Sequence, residues 1–255
     1  MTLADFLSNP SGKGDTALNT KAIASMLDSK YERLMDNKGD KIVCKVYKVL
    51  AKEVYYVHLI IPTETERTNT YDVVIELSDL EGSHRNDSSI ARYDARFFSN
   101  TPSFAYTYAK VYLDNDLLIP QLEDKFEDEQ ISQNPDTRNR FGIVGYDKYL
   151  YFGVKYVYES KILNKLTLGY RALRYNPMLF IPKIRTSEKI IQEYHRANRV
   201  LRKEQGKPPL KADNVHSKIR TNVKNDSTVH VVQPKRPVNK IGSKAKSCAR
   251  ILKKK

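Results

Sequence analysis

Two adjacent stretches, KIVCKVYKVL (residues 41–50) and EVYYVHLII (residues 53–61), decide the fold class of this 255-residue chain. Both are rich in Val, Ile and Tyr, the residue types that favour strands, and only two residues separate them. A link this short predicts an antiparallel β-hairpin. Pro62 follows the second stretch and marks its end, because proline has no backbone N–H to donate to a neighbouring strand.

Three further stretches after the hairpin also have strand character. They are YDVVIEL (residues 71–77), IARYDARFF (residues 90–98) and SFAYTYAKVYL (residues 103–113), and the turn-forming sequence SNTP separates the last two. About five strands with short connections predict a largely antiparallel sheet.

Helical periodicity predicts an N-terminal helix from Asn19 or Thr20 to the stop signal at residues 37–39. Its apolar positions recur three or four residues apart and are expected to form a core-facing stripe, made of Ile23, Met26, Leu27, Tyr31, Leu34 and Met35.

Helices also follow the predicted sheet. Residues 120–130 are predicted to form a short acidic helix with Pro120 in its first turn, and residues 187–205 are predicted to form an amphipathic helix that Gly206 ends. Residues 146–165 are predicted as a helix, with strand as the alternative because Gly153 and several β-branched and aromatic residues lie among them. The sequence therefore predicts an α+β fold.

Charge is distributed very unevenly along the chain, whose net charge is +14. Residues 181–255 contain 21 Lys and Arg against 5 Asp and Glu, a net of +16, whereas residues 1–180 contain 23 against 25, a net of −2. Only 40% of all residues are hydrophobic, below the usual range of about 45–50%, so part of the chain does not contribute to a core.

These patterns divide the chain into three parts. Residues 1–16 are rich in Ser, Gly, Asn and Pro and are predicted to be a mobile arm, and residues 17–205 are the α+β body. Residues 206–255 contain no aromatic residue and have 14 Lys and Arg against 2 acids. Such a segment buries too little apolar surface to offset its ordering entropy, so it is predicted to be a disordered cationic tail.

The cationic end is the main functional signal, because charge spread along a flexible segment suits contact with a phosphate backbone. We expect non-specific binding of nucleic acid, with DNA favoured. An acidic protein surface, anionic lipid and a merely solvated tail are the alternatives. The candidate contact residues are Arg196, Arg199, Arg202, Lys203, Lys207, Lys211, Lys218, Arg220, Lys224, Lys235, Arg236, Lys240, Lys244, Lys246, Arg250, Lys253, Lys254 and Lys255.

A second candidate surface is the aromatic run of Phe104, Tyr106, Tyr108 and Tyr112, with Lys110 among them. On a strand, alternate residues share one face, and an aromatic face beside a lysine can stack nucleic-acid bases. Ordinary core packing is the stronger interpretation, because the chain has 17 Tyr and no Trp.

Evidence for catalysis is weak, and we expect no enzymatic activity and no cofactor. The polar loop at residues 82–89 contains His84, but no nucleophile elbow, phosphate loop, dinucleotide fingerprint or zinc-type cysteine cluster occurs. The competing hypothesis is a metal-dependent enzyme acting on nucleic acid, in which Asp72, Glu76 or Asp94 holds the metal. The acidic cluster of Glu123, Asp124, Glu127, Asp128 and Glu129 is interpreted as a solvated face that alternatively pairs with the tail of a neighbouring copy.

The sequence also bears on location. No stretch approaches the roughly 18 apolar residues that span a bilayer, and residues 1–13 lack the regions of a signal peptide, so we expect a cytoplasmic protein without membrane contact. Cys44 lies in an apolar stretch and Cys248 in the tail, so no structural disulfide is expected.

Two stretches, SSIARYDARFFSNTPSFAYTYAKVY (residues 88–112) and NPDTRNRFGIVGYDKYLYFGVKYVYE (residues 134–159), resemble uncharacterised proteins carried by tailed phages of low-GC Gram-positive bacteria. The resemblance rests on aromatic patterning around residues 97–100 and 104–109. It implies a virion or assembly component, whose partners are other virion proteins or its own copies, and it assigns no catalytic residue.

Overall fold

A five-stranded sheet forms the centre of the computed structural model, which describes residues 1–8, 20–64, 70–132, 139, 142–173 and 181–206. The strands are β1 (Val43–Val49), β2 (Val54–Pro62), β3 (Thr70–Ser78), β4 (Asp94–Ser99) and β5 (Arg171–Leu173), in the spatial order β4-β3-β2-β1-β5. The first four are antiparallel to their neighbours, and β5 runs parallel to β1. The predicted α+β class with a largely antiparallel sheet is confirmed.

The predicted hairpin is present, with Val49 opposite Val54 at its turn and Val46 opposite Val57. Both faces of its second strand are buried, because helices and irregular segments cover the two sides of the sheet. The fully buried Val57 and Leu59 lie on one face, and the nearly buried Tyr56 and His58 lie on the other. An apolar stretch without alternation is what this two-sided burial requires.

The prediction of a strand over residues 103–113 is wrong. These residues form two short helices, α3 (Pro102–Thr107) and α4 (Ala109–Asp114). The local reason is the start of α3, where the side chain of Thr101 accepts a hydrogen bond from the amide of Phe104 at 3.1 Å and Pro102 occupies the first helical turn. The fifth strand is β5, which the sequence pattern did not indicate.

The remaining helices are close to their predicted positions. They are α1 (Leu3–Ser8), α2 (Thr20–Lys38), α5 (Asp128–Ser132), α6 (Lys148–Glu159) and α7 (Ser187–Glu204), with 3-10 turns at Gly39–Lys41, Pro120–Lys125, Lys161–Leu163 and Ile181–Lys183. The predicted N-terminal and C-terminal helices are confirmed as α2 and α7. The predicted acidic helix is divided into a 3-10 turn and α5.

Helix α6 confirms helix over strand for the region around Gly153. Its first turn is capped by Asp147, whose carboxylate accepts from the amides of Leu150 (3.1 Å) and Tyr149 (3.3 Å). A Cβ atom at position 153 would lie 2.8 Å from Cγ1 of Val73 in β3. Glycine is therefore required there by the close approach of α6 to the sheet.

The mobile arm predicted for residues 1–16 needs correction at its beginning. Leu3 and Phe6 of α1 are buried, and the ring of Phe6 lies 4.5 Å from that of Phe97 in β4. Apolar burial thus attaches α1 to the body, so the compact unit begins at Met1 and ends at Pro208. Residues 9–16 lie outside the described residues.

The predicted disordered tail also lies outside the described residues, apart from Gly206. Gly206 has a φ of 64°, in the left-handed region that glycine tolerates, and it directly follows the last turn of α7. None of the helices in the described ranges has the length and apolar character needed to cross a membrane.

Candidate nucleic-acid interface

Helix α7 carries the predicted contact residues that lie within the described part of the chain. Thr186 caps its first turn by accepting a hydrogen bond from the amide of Lys189 at 3.2 Å. Ser187 and Ile190 are buried, and the Ser187 hydroxyl donates to the side-chain oxygen of Gln130 at 3.0 Å. The first turns of α7 are thus held against the body.

The cations of α7 face away from this buried side. At about 100° per residue, Lys189, Arg196, Arg199 and Lys203 fall within an arc of about 80°, roughly opposite Ser187 and Ile190. These four cations are exposed, whereas Arg202 lies on the flank of the helix and is half-buried. The structure therefore brings three of the four predicted α7 residues onto one cationic face.

Lys189 belongs to the same face but was absent from the predicted contact residues. The signal that identifies it is its position seven residues, or about two helical turns, before Arg196. Within the described residues, no ion pair is formed by Arg196, Arg199 or Lys203. Their charges are therefore available to a partner without an existing pair having to break.

A buried polar cluster anchors the chain just before α7. Arg185 donates to Oδ2 of Asp72 from Nη2 at 3.2 Å and from Nε at 3.3 Å. Another guanidinium nitrogen, Nη1, donates to Oε2 of Glu193 at 3.1 Å. Because Asp72 belongs to β3 and Glu193 to α7, Arg185 connects the helix to the sheet.

Asp72 receives further hydrogen bonds from the interior of the body. Nε2 of His58 lies 2.9 Å from Oδ1, and the side-chain Nδ2 of Asn100 donates to Oδ2 at 2.8 Å. Burial by itself would raise the pKa of Asp72, but the contacts with His58 and then Arg185 outweigh it and hold this pKa below its ordinary value. The carboxylate is therefore charged at neutral pH, and we assign it a positioning role.

The remaining predicted contact residues, Lys207 to Lys255, lie outside the described residues. What the structure adds is the exposed cationic helix that leads directly to them.

The predicted aromatic face on residues 104–112 is not formed. Because this segment is helical, its aromatic side chains point in different directions: Phe104 and Tyr112 are buried, Tyr108 is half-buried and Tyr106 is 43% exposed. The Tyr112 hydroxyl donates to the carbonyl of Gly145 at 2.6 Å, which is a core contact. The packing interpretation is correct for Phe104 and Tyr112.

The acids proposed as metal ligands are not brought together. Asp72 contacts His58 and Arg185, Oε1 of Glu76 lies 3.6 Å from Arg96, and Oδ1 of Asp94 lies 3.0 Å from the amino group of Met1. Across the described ranges, no group of three or more His, Cys, Asp and Glu side chains is arranged to hold a metal ion. Opposite charges rather than a shared centre account for the positions of these acids.

The polar loop at residues 82–89 is held by contacts with its own stretch of chain and by Lys165, whose backbone amide donates to the carbonyl of Ser88 at 2.8 Å and whose Nζ donates to that of Arg85 at 2.9 Å. Nδ1 of His84 lies 3.3 Å from Asp87, and the backbone amide of His84 donates to Asp79 at 3.0 Å. Both contacts are local, as expected for a loop that turns the chain between β3 and β4.

No protein-family model matches this chain, and no curated protein and no solved structure matches it.

Proposed function

We propose that this chain is a non-enzymatic, nucleic-acid-associated structural or assembly protein that binds the phosphate backbone through the cationic face of α7 and the basic segment at residues 206–255. One observation carries the proposal: Arg196, Arg199 and Lys203 are exposed on one side of α7 and form no ion pair within the described residues. This helix is anchored to the sheet by Arg185, and the chain continues from it into a segment with 14 Lys and Arg.

Such an arrangement suits phosphate contact better than base recognition. Phosphate contacts position a protein on nucleic acid, whereas sequence is recognised by side chains that reach the base edges. Each phosphate neutralised on duplex DNA contributes about 0.9 to the magnitude of the log–log slope of affinity against salt. We therefore expect affinity to depend strongly on salt and weakly on sequence.

The test compares two full-length variants with equal loss of charge. The α7 variant replaces Arg196, Arg199 and Lys203 by Gln, and its matched control replaces three exposed lysines near β1 by Gln, namely Lys41, Lys45 and Lys52. Fluorescence anisotropy titrations with several unrelated duplexes, repeated across salt concentrations, give the slope for each protein.

The α7 variant is expected to flatten the slope by up to about 3, since three phosphate contacts are lost. The control is expected to change it by less than about 1. Equal effects of both variants would mean that only net charge matters, and a strong preference of the unmodified chain for one duplex would contradict backbone binding.

Assembly through copies of the same chain is a second candidate function, favoured by an acidic surface in the described residues. Burial, together with the negative charge of Glu127, Glu129 and Glu188, raises the pKa of Tyr106. Acids from α5 and α7 thus lie near one exposed tyrosine, and the cationic tail has the complementary charge. Light scattering with and without nucleic acid separates this candidate from the first, because self-assembly here requires no nucleic acid.

Residence in a phage particle or another mobile element, which the resemblance in sequence implies, is part of the proposal. Purification from the producing cell without nuclease, followed by identification of the bound material, tests it. Copurifying nucleic acid supports the first function, and copurifying particle proteins support the second.

A further inference from the structure

A cleft of about 530 Å³ lies on one face of the sheet, next to the hairpin turn between β1 and β2. Part of its floor is a row across three strands, in which Glu76 of β3 lies between Tyr56 of β2 and Arg96 of β4. In the next row toward the turn, Val54 of β2 lies opposite Ser78 of β3. Residues two positions apart on a strand share a face, so both rows line the same cleft. Its mouth is formed by exposed residues of the hairpin turn, the loop after β3 and the 3-10 turn at Pro120–Lys125, namely Ala51, Lys52, Leu80 and Gln121.

Glu76 carries the acidic group of this floor and is only 5% exposed. Its Oε1 lies 3.6 Å from Nη1 of Arg96, which is longer than a hydrogen bond. The hydroxyl of Tyr56 is another polar neighbour. Burial, and then the negative charge of Glu76, raise the pKa of Tyr56, so this hydroxyl stays protonated at neutral pH. A carboxylate has about four acceptor sites, so about two of them remain for a group that enters the cleft.

The positive charge of Arg96 is shared between two carboxylates. Its Nη2 donates to both carboxylate oxygens of Asp116, at 2.8 and 2.7 Å, and its Nε donates to the backbone carbonyl of Asp116 at 3.2 Å. Glu76 receives only the longer contact from Nη1. Two carboxylates and one guanidinium leave a net negative charge in this group. Because a buried carboxylate is costly unless it is fully paired, a cation that reaches Glu76 gains more than it would at an exposed acid.

The surfaces next to Glu76 in the cleft are aliphatic. Val49 and Val54 lie opposite each other at the end of the hairpin, and Leu80 at the mouth is 71% exposed. Such walls beside a carboxylate suit an alkyl group that ends in a cation, because these groups bury their CH₂ units and keep polar contacts at the charged end. Lys52 is exposed at the mouth, where its charge suits a carboxylate at the opposite end of such a ligand.

We propose that this cleft binds an alkyl group ending in a guanidinium or ammonium, with the cationic end on Glu76 and the CH₂ units along Val49, Val54 and Leu80. A guanidinium offers two parallel N–H donors, which match the two oxygens of a carboxylate. This chemistry is found in free basic amino acids and in the Arg and Lys side chains of a basic segment such as residues 206–255 of this protein. The inference does not depend on phosphate binding by α7, since it uses an acidic group on the sheet.

The test measures binding of L-arginine and of citrulline to the full-length protein by NMR titration. Citrulline has nearly the same shape as arginine, but its terminal group is neutral. Glu76→Gln removes the charge and keeps the length of the side chain, and Ala51→Phe adds bulk at an exposed position of the mouth. The matched control is Glu159→Gln, which neutralises an exposed acid at the end of α6.

The unmodified protein is expected to bind arginine about tenfold to a hundredfold more tightly than citrulline, the usual effect of hydrogen bonds to a charged group. Glu76→Gln should weaken arginine binding by the same factor, Ala51→Phe should weaken the binding of both ligands, and Glu159→Gln should change neither. Thermal unfolding shows whether each variant is folded. Ala51→Phe alters only an exposed position, so it keeps the test decisive if Glu76→Gln does not fold.

A peptide with the sequence of residues 234–246, PKRPVNKIGSKAK, distinguishes the two sources of the cation. Binding tighter than that of arginine assigns the cleft to a basic protein segment. Tighter binding of arginine, weakened by Lys52→Gln, assigns it to a free amino acid. Equal affinities for arginine and citrulline, unchanged arginine binding in Glu76→Gln, or no binding of arginine and peptide at all would overturn the inference, while leaving nucleic-acid binding by α7 intact.

Discussion

Replacing Asp72 by Asn tests whether the polar cluster before α7 stabilises the body. The substitution preserves the shape of the side chain, but it removes the charge that Arg185 contacts and places an amide nitrogen where one of two hydrogen-bonded oxygens lies. Asp72 is only 3% exposed, so water does not replace the lost interactions. Arg185 then remains beside the sheet with Glu193 as its carboxylate partner.

Removing one partner of a buried ion pair costs about 3–5 kcal/mol. Because Arg185 keeps its contact with Glu193 and is partly exposed, we expect the loss of stability to lie at the lower end of this range, about 3 kcal/mol. With a urea m-value of about 3 kcal/mol/M, this lowers the midpoint of unfolding by about 1 M. The matched control is Asp116→Asn, which neutralises an exposed partner of Arg96 and should cost less than about 1 kcal/mol.

Lowering the pH should reduce the difference in free energy of unfolding between Asp72→Asn and the unmodified chain. The pKa of Asp72 is lower in the folded chain than the ordinary value of about 3.9. Its contribution is therefore present above that value and is lost as the pH falls through the folded pKa. Urea unfolding at several pH values measures this, and a cost below about 1 kcal/mol at neutral pH would refute the proposed anchoring role.

Three other predictions concern the body. Gly153→Ala should lower the free energy of unfolding by about 1–2 kcal/mol in urea denaturation, because the clash with Val73 outweighs a helix-propensity gain of about 1 kcal/mol. A stabilised variant would contradict the close approach of α6 to β3. Asp147→Ala should cost about 1–2 kcal/mol through loss of the α6 cap, whereas Asp147→Asn keeps the cap. Burial raises the pKa of Asp147, so the folded chain holds a proton on this carboxyl at pH values where the unfolded chain has lost it. The unmodified chain should therefore lose stability relative to Asp147→Asn as the pH rises above about 4, which the same urea assay measures. A stability difference that does not change with pH would contradict this. Burial also raises the pKa of the Cys44 thiol to about 11, which lowers the fraction of reactive thiolate. In a Cys248→Ser background, alkylation of Cys44 at pH 8 should therefore be about a hundredfold slower in the folded chain than in the urea-unfolded chain, as measured by mass spectrometry. Equal rates would show an accessible thiolate.

Local patterns in the sequence were sufficient to predict the hairpin and the long helices. In β1 and β2, the strand-forming residues and a two-residue link both favour the same structure, and in α7 the spacing of apolar residues agrees with its Thr186 cap and its Gly206 end. Agreement between propensity, periodicity and end signals left no competing structure. The cationic face of α7 followed from the same spacing, since a helix converts sequence position into direction.

Residues 103–113 show where local pattern was insufficient. Alternating aromatic residues fit a strand, but the cap at Thr101 and the burial of Phe104 and Tyr112 select helices, and that burial depends on partners distant in sequence, such as Gly145. Strand β5 has only three residues, and its pairing partner β1 lies more than 100 positions earlier in the chain.

The candidate sites divide in the same way. Composition alone located the charge of the cationic end, because charge counts need no knowledge of folding. The anchor joining Asp72 to Arg185 connects residues 113 positions apart, and Lys165 contacts the carbonyl of Arg85, 80 positions earlier in the chain. Only the tertiary structure decided these, because the distance between side chains far apart in sequence is fixed by strand order and helix packing rather than by local propensity.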